Sequence, residues 1–186
     1  KEVPRIEYTD VENQVWKHCY NKLKTHYKKN AVSEYNDSLA DMEKNAGFGE
    51  DKIPQLEDIT QYLLPKTGWR IRPVAGLLSA REFFNGLAFK VFHSTQYIRH
   101  HSNPEYTPEP DVMHELMGHA PMFANDDYAE LSHMIGLASL GCPDMYLPRL
   151  GTLYWFTIEF GLCMQDNQKK AYGAGILSSF GELDWC

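Results

Sequence analysis

The 186 residues are 43% apolar, which is enough to bury one core and too few for two independent ones. A net charge of −7 argues against a nucleic-acid or anionic-membrane surface. No apolar run reaches the ~18 residues of a membrane-spanning helix, and no apolar signal core appears near Lys1-Glu2-Val3-Pro4-Arg5.

In chain order, Thr9 is placed to cap a first helix, on which Val15, Trp16, Cys19, Tyr20, Leu23 and Tyr27 recur at helical spacing. A second is expected from Ser33 through Tyr35, Leu39 and Met42 to a stop at Gly47. Pro54 suits the first turn of a third, which carries Leu56, Ile59, Tyr62 and Leu63 and ends near Gly68. Residues 69–74 alternate as a short strand should. Ser79-Ala80-Arg81-Glu82 then forms a capping box ahead of Phe83, Phe84, Leu87, Ala88 and Val91. Residues 92–98 read as a second strand, and Asp127 with Glu130 as the start of a helix closed by Gly141 and Pro143. With no repeat and no linker, this is a single α+β domain, predominantly helical, with a few short peripheral strands. Cys19, Cys142, Cys163 and Cys186 lack zinc-knuckle or redox spacing and read as reduced thiols, so a cytoplasmic location is expected.

The chemistry concentrates in Pro108-Glu109-Pro110-Asp111-Val112-Met113-His114-Glu115-Leu116-Met117-Gly118-His119-Ala120-Pro121. The flanking prolines and Gly118 predict a helix from about Pro110 that stops at Gly118, with His119 just beyond. On a continuous α-helix, residues five apart point about 140° away from each other, so His114 and His119 meet only if the helix is interrupted. The zinc-peptidase pattern H-E-x-x-H is absent because residue 118 is Gly. Downstream, Glu159 is the lone acid in Thr152-Leu153-Tyr154-Trp155-Phe156-Thr157-Ile158-Glu159-Phe160, and a carboxylate there is costly to bury without a cation. Two imidazoles and one carboxylate make a facial ligand set for Fe(II). On the residues alone, each histidine also fits a satisfied core position, and Glu159 fits a buried ion pair. His18, His26, His93, His100, His101 and His133 read as ordinary surface or core residues.

Around these residues the chain resembles the catalytic domain of the pterin-dependent aromatic amino acid hydroxylases. The resemblance runs along nearly its whole length. It is carried by Ile53-Pro54-Gln55-Leu56-Glu57-Asp58, Arg72-Pro73-Val74-Ala75-Gly76-Leu77-Leu78-Ser79, Thr95-Gln96-Tyr97-Ile98-Arg99-His100, the segment 108–121, Ile135-Gly136-Leu137-Ala138-Ser139-Leu140-Gly141, and Tyr172-Gly173-Ala174-Gly175-Ile176-Leu177-Ser178-Ser179. Tyr106-Thr107, Leu77, Trp155 and residues 178–183 look most like the phenylalanine-hydroxylating members, with tyrosine- or tryptophan-hydroxylating members as the alternative. The family usually carries Leu, Val and Cys where this chain has Met117, Ala120 and Ser94.

The resemblance implies the hydroxylase catalytic fold and conversion of L-phenylalanine to L-tyrosine with O2, Fe(II) and a tetrahydropterin (tetrahydrobiopterin or a close relative). It implies that His114, His119 and Glu159 hold the iron. Arg99, oriented by Asp111, would take the substrate carboxylate, with Thr107, Gly175 and Ser178 nearby, while Trp155, Pro110 and His114 form the slot for the ring. Gly76, Leu78, Ala80 and Phe83 would carry the pterin, with Glu115 reaching it through water. It further implies one catalytic domain over residues 1–186 that in the family begins somewhat earlier and continues past Cys186, and a homo-oligomer formed through parts outside this chain. Two other classes stand beside this: a zinc hydrolase using His114, His119 and Glu115, and a non-catalytic domain stiffened by metal.

Overall fold

The computed structural model describes residues 3–76 and 78–186; the substrate-preference reading at Leu77 lies outside them. Helices dominate. They are α1 (Asp10–Asn30), α2 (Ser33–Asn45), α3 (Leu56–Thr67), α4 (Ala80–Ala88), α5 (Asp126–Ser139), α6 (Leu147–Tyr154), α7 (Ala174–Leu177) and α8 (Phe180–Asp184). The strands are β1 (Arg70–Pro73) and β2 (Val91–Ser94), paired in parallel, and β3 (Leu162–Gln165) and β4 (Gln168–Ala171), paired as a hairpin. The expected predominantly helical α+β architecture is what the chain adopts. Among the described residues no helix is long and apolar enough to cross a membrane.

Local sequence sets many of the boundaries. The Thr9 and Ser79 capping boxes both form, each hydroxyl accepting from the amide three residues on while the glutamate there accepts in return. The third helix begins at Leu56, capped by Gln55, so Pro54 precedes the helix rather than filling its first turn. Helix α5 is capped by Asn125, whose side chain accepts from the Tyr128 amide, and not by the Asp127–Glu130 pair. The second strand stops at Ser94, short of the expected 98, where its pairing with Pro73 ends.

The largest departure is at Gly118. The chain does not break there. Val112 and Met113 begin a helical turn that widens into a π-turn over His114–His119, and the Ala120 amide donates to the Glu115 carbonyl, five residues back, at 3.1 Å. A second π-turn, Trp155–Glu159, extends α6, and there the Phe160 amide donates to Trp155 at 2.9 Å. An i→i+5 turn returns residues five apart to nearly the same face, which an α-helix cannot do.

Tertiary contacts hold the first of these turns. The buried Tyr35 hydroxyl on α2 donates to the Met117 carbonyl at 2.6 Å, and Tyr27 on α1 donates to Leu177 on α7 at 2.8 Å. Helix α7 lies so close that a Cβ on Gly118 would stand 2.7 Å from the Ala174 carbonyl oxygen. Gly118 is therefore needed for this approach rather than for chain reversal. Gly118→Ala is expected to cost about 1–3 kcal/mol through overpacking. Thermal unfolding checks this: a melting temperature within one degree of the parent's would contradict the close approach.

Candidate metal centre and its two cavities

The two π-turns bring three side chains together. His114 Nε2 and His119 Nε2 lie 3.2 Å apart, Glu159 Oε1 is 3.2 Å from His119 Nε2, and Glu159 Oε2 is 3.5 Å from His114 Nε2. Donors bound to one ion at about 2.1 Å and at right angles lie about 3 Å from each other, so this triangle has the size of one face of an octahedron. The three residues fit a divalent iron ion on donor type and on spacing. His119 is buried, and the side chains of His114 and Glu159 are only 13% and 14% exposed.

The far ring nitrogens are also engaged. His114 Nδ1 lies 2.8 Å from the Ser178 hydroxyl, which donates its own hydrogen to the Ala174 carbonyl at 2.8 Å. With that hydrogen committed, the hydroxyl can only accept from Nδ1–H, which leaves Nε2 bare for a metal. Ser178, expected near the substrate carboxylate, thus also orients an imidazole.

Electrostatics favours the same protonation states. Burial pushes His114 down to about 4. Burial alone would raise Glu159, but His119 and His114 beside it hold the carboxyl at about 2, ready as an anionic ligand. Glu115 also brings a carboxylate oxygen within 4.8 Å of both imidazoles, forming a rival trio. Its burial, followed by repulsion from Glu159 and Asp111, raises it well above the usual carboxylate range, and its carboxyl group reaches the Thr95 main chain. Glu159 is closer to both nitrogens and is the acid kept ionised, so it is the better third ligand.

Two cavities flank the trio and share Glu109 and Pro110 in their walls. The larger, of about 880 Å³, is lined by residues of the segment joining β1 to α4 and includes Gly76, Leu78, Ala80, Phe83 and Glu115. All of the residues expected at the pterin therefore share one space. The smaller, about 360 Å³, is lined by Arg99, Thr107, Pro110, His114, Trp155, Glu159, Gly175 and Ser178. The expected substrate residues meet there, except Asp111, which is wholly buried behind Arg99.

Asp111 has two roles. Its carboxylate accepts from Arg99 Nε at 2.8 Å and Nη2 at 2.9 Å, and also from the amides of Arg99 and His114 at 2.8 and 3.1 Å. It thereby caps the turn that carries the first histidine while fixing the guanidinium. Arg99 spends Nε–H and one Nη2–H on Asp111, and Nη1 makes only a long 3.5 Å bond to the Pro104 carbonyl, so a second hydrogen on each of Nη1 and Nη2 is left for a ligand carboxylate.

Sequence reading missed several neighbours. His93, taken as an ordinary residue, lines the larger cavity, and its buried Nδ1 has no hydrogen-bond partner among the described residues. Tyr154, five residues before Glu159, lines the same cavity with its ring buried. The i, i+5 spacing of Tyr154 and Glu159 repeats that of the two histidines and was a usable signal.

A mostly helical domain with two imidazoles and one carboxylate between two cavities has the donor set of a non-haem metal site. Comparison with known proteins narrows the class. The family described as "Biopterin-dependent aromatic amino acid hydroxylase" matches residues 1–186. Phenylalanine-4-hydroxylase of Caenorhabditis elegans is 60% identical over 98% of this chain and 40% of that protein. The apo structure of the cold-active phenylalanine hydroxylase from Colwellia psychrerythraea 34H aligns with TM-score 0.91 at 36% identity, over 97% of this chain and 67% of that one. The Chromobacterium violaceum phenylalanine hydroxylase, solved with iron(III) and 7,8-dihydrobiopterin, aligns with TM-score 0.89 at 31% identity, over 97% of this chain and 65% of that one. The chain belongs to the biopterin-dependent aromatic amino acid hydroxylase family. It spans about 40% of the length of the curated relative it matches.

Proposed function

We propose that this protein is a non-haem Fe(II), tetrahydropterin-dependent monooxygenase that converts L-phenylalanine to L-tyrosine. The observation that carries the reading is the convergence of His114, His119 and Glu159 between two cavities of the sizes the two organic reactants need. Iron and reduced pterin together supply the activation of O2 when both are bound. The chain's own residues arrange the reactants. Arg99 offers a planar two-pronged edge to the amino-acid carboxylate, and Trp155, Pro110 and His114 wall the slot for its ring. Phe83, Leu78 and Ala80 line the larger cavity and would hold the pterin there, the Phe83 ring offering it an aromatic face. Glu115, whose burial favours the protonated form, lines that cavity.

A zinc hydrolase would need Glu115 as a general base. Burial, with repulsion from Glu159 and Asp111, shifts this carboxyl toward its protonated form, which speaks against that role. Four unpaired cysteines among the described residues support a reducing, cytoplasmic setting. The 60% identity to a phenylalanine-4-hydroxylase favours phenylalanine over other aromatic amino acids. The test is oxygen uptake with Fe(II), tetrahydropterin and phenylalanine, with tyrosine as the measured product, followed by competition among phenylalanine, tyrosine and tryptophan. Tyrosine formed in step with oxygen consumed is expected. Oxygen-independent activity supported by zinc would overturn the reading.

A further inference from the structure

Tyr128 reaches the centre from α5, an element that carries none of the three ligands. Its ring packs edge-on against Phe123, with centroids 5.4 Å apart, as many core aromatics do. Its hydroxyl does something a core ring need not. It lies 3.2 Å from His119 Nδ1 and 3.4 Å from the carbonyl of Ile158, the residue immediately before Glu159. One phenol has one hydrogen. If His119 binds a metal through Nε2, Nδ1 carries the ring hydrogen and must donate it, so the phenol accepts there and gives its own hydrogen to Ile158. The phenol then bridges the second imidazole and the main chain of the turn that holds the carboxylate. The arrangement parallels His114, Ser178 and the Ala174 carbonyl, but here the two ends of the bridge belong to two different ligands' turns.

We propose that Tyr128 is a positioning residue whose hydroxyl fixes the His119 ring and holds its π-turn in register with the Glu159 turn. The proposal rests on the metal reading above. It is distinct from a packing role, because Tyr128→Phe keeps the ring and its contact with Phe123 while removing only the bridge.

The test uses zinc as a diamagnetic probe. In chelator competition, Tyr128→Phe is expected to bind Zn(II) ~10- to 100-fold more weakly than the parent, the range for losing a partner of a ligating histidine. In nitrogen-15 NMR of the zinc-loaded proteins, the His119 Nδ1–H proton should be downfield in the parent and in through-space contact with the Tyr128 ring. It should move upfield in the variant, while the His114 Nδ1–H signal stays in place. Equal zinc affinity with an unmoved His119 signal overturns the proposal and leaves the metal site standing. Should the variant fold poorly, the parent's spectrum decides: a His119 Nδ1–H signal without the downfield shift overturns it. A parent that takes up no zinc through His114 and His119 overturns the metal reading itself, and this proposal with it.

Discussion

Glu159→Gln is expected to lower iron affinity by roughly two to four orders of magnitude, since removing one charge from a buried ionic cluster costs about 3–5 kcal/mol. The substitution keeps the shape and one oxygen donor, so what it removes is the negative charge. That charge lies 3.2 and 3.5 Å from the two Nε2 atoms, in a turn with no other charged residue. Burial magnifies the loss, because the attraction between carboxylate and metal ion is screened less there than in water. A neutral amide is cheaper to bury than a carboxylate, so the fold should survive. Iron content after dialysis against a graded chelator, with circular dichroism as the folding control, checks this. Iron retained at the parent's level would remove Glu159 from the ligand set.

Arg99→Ala acts on the other reactant and should be the most disruptive change outside the metal site. It leaves the fully buried Asp111 with only two main-chain donors, at a stability cost of about 3–5 kcal/mol. Because Asp111 also caps the turn carrying His114, some loss of iron is expected as well. Arg99→Lys separates these effects. The lysine keeps a charge for Asp111 but has no second prong for a substrate carboxylate. Its phenylalanine KM should rise about tenfold or more, the worth of one hydrogen bond to a charged group, while the pterin KM stays within a factor of two. Steady-state kinetics with each reactant varied in turn reads the difference. A parallel rise in both KM values would contradict the assignment of Arg99 to the smaller cavity.

What the sequence disclosed, and what it hid, follows from how local each determinant is. The capping boxes at Thr9 and Ser79 were legible because a hydroxyl and a glutamate three residues apart need no help from the rest of the fold. The burial stripe of α1 was legible for the same reason, since all six of its expected core residues are buried. The candidate metal ligands stood out as chemistry, because a lone acid in an apolar run and two histidines with awkward spacing each demand an explanation. The geometry that unites them did not. A π-turn has no composition of its own, and here it depends on distant partners, with Tyr35 holding Met117 and Ala174 pressing on Gly118. Glycine at 118 invited a reading of chain interruption, whereas its real service is the absence of a Cβ.

The hairpin of β3 and β4 was missed although its turn carries a signal. Asp166 and Asn167 both adopt positive φ, at 53° and 59°, as the two central residues of a tight hairpin turn do, and Asp and Asn tolerate that conformation best among side-chain-bearing residues. Tyr128 could not be found at all by pattern. On α5 it is one more buried aromatic, and only the fold reveals that its hydroxyl ends between His119 and Ile158.

Diffraction from crystals loaded with Fe(II), recorded at the iron edge, probes the shared-ion arrangement directly. A single anomalous peak within bonding distance of His114 Nε2, His119 Nε2 and a Glu159 oxygen, with no fourth protein atom on the ion, is the predicted result. A peak bound by Glu115 in place of Glu159, or an ion enclosed by four protein atoms, would contradict it.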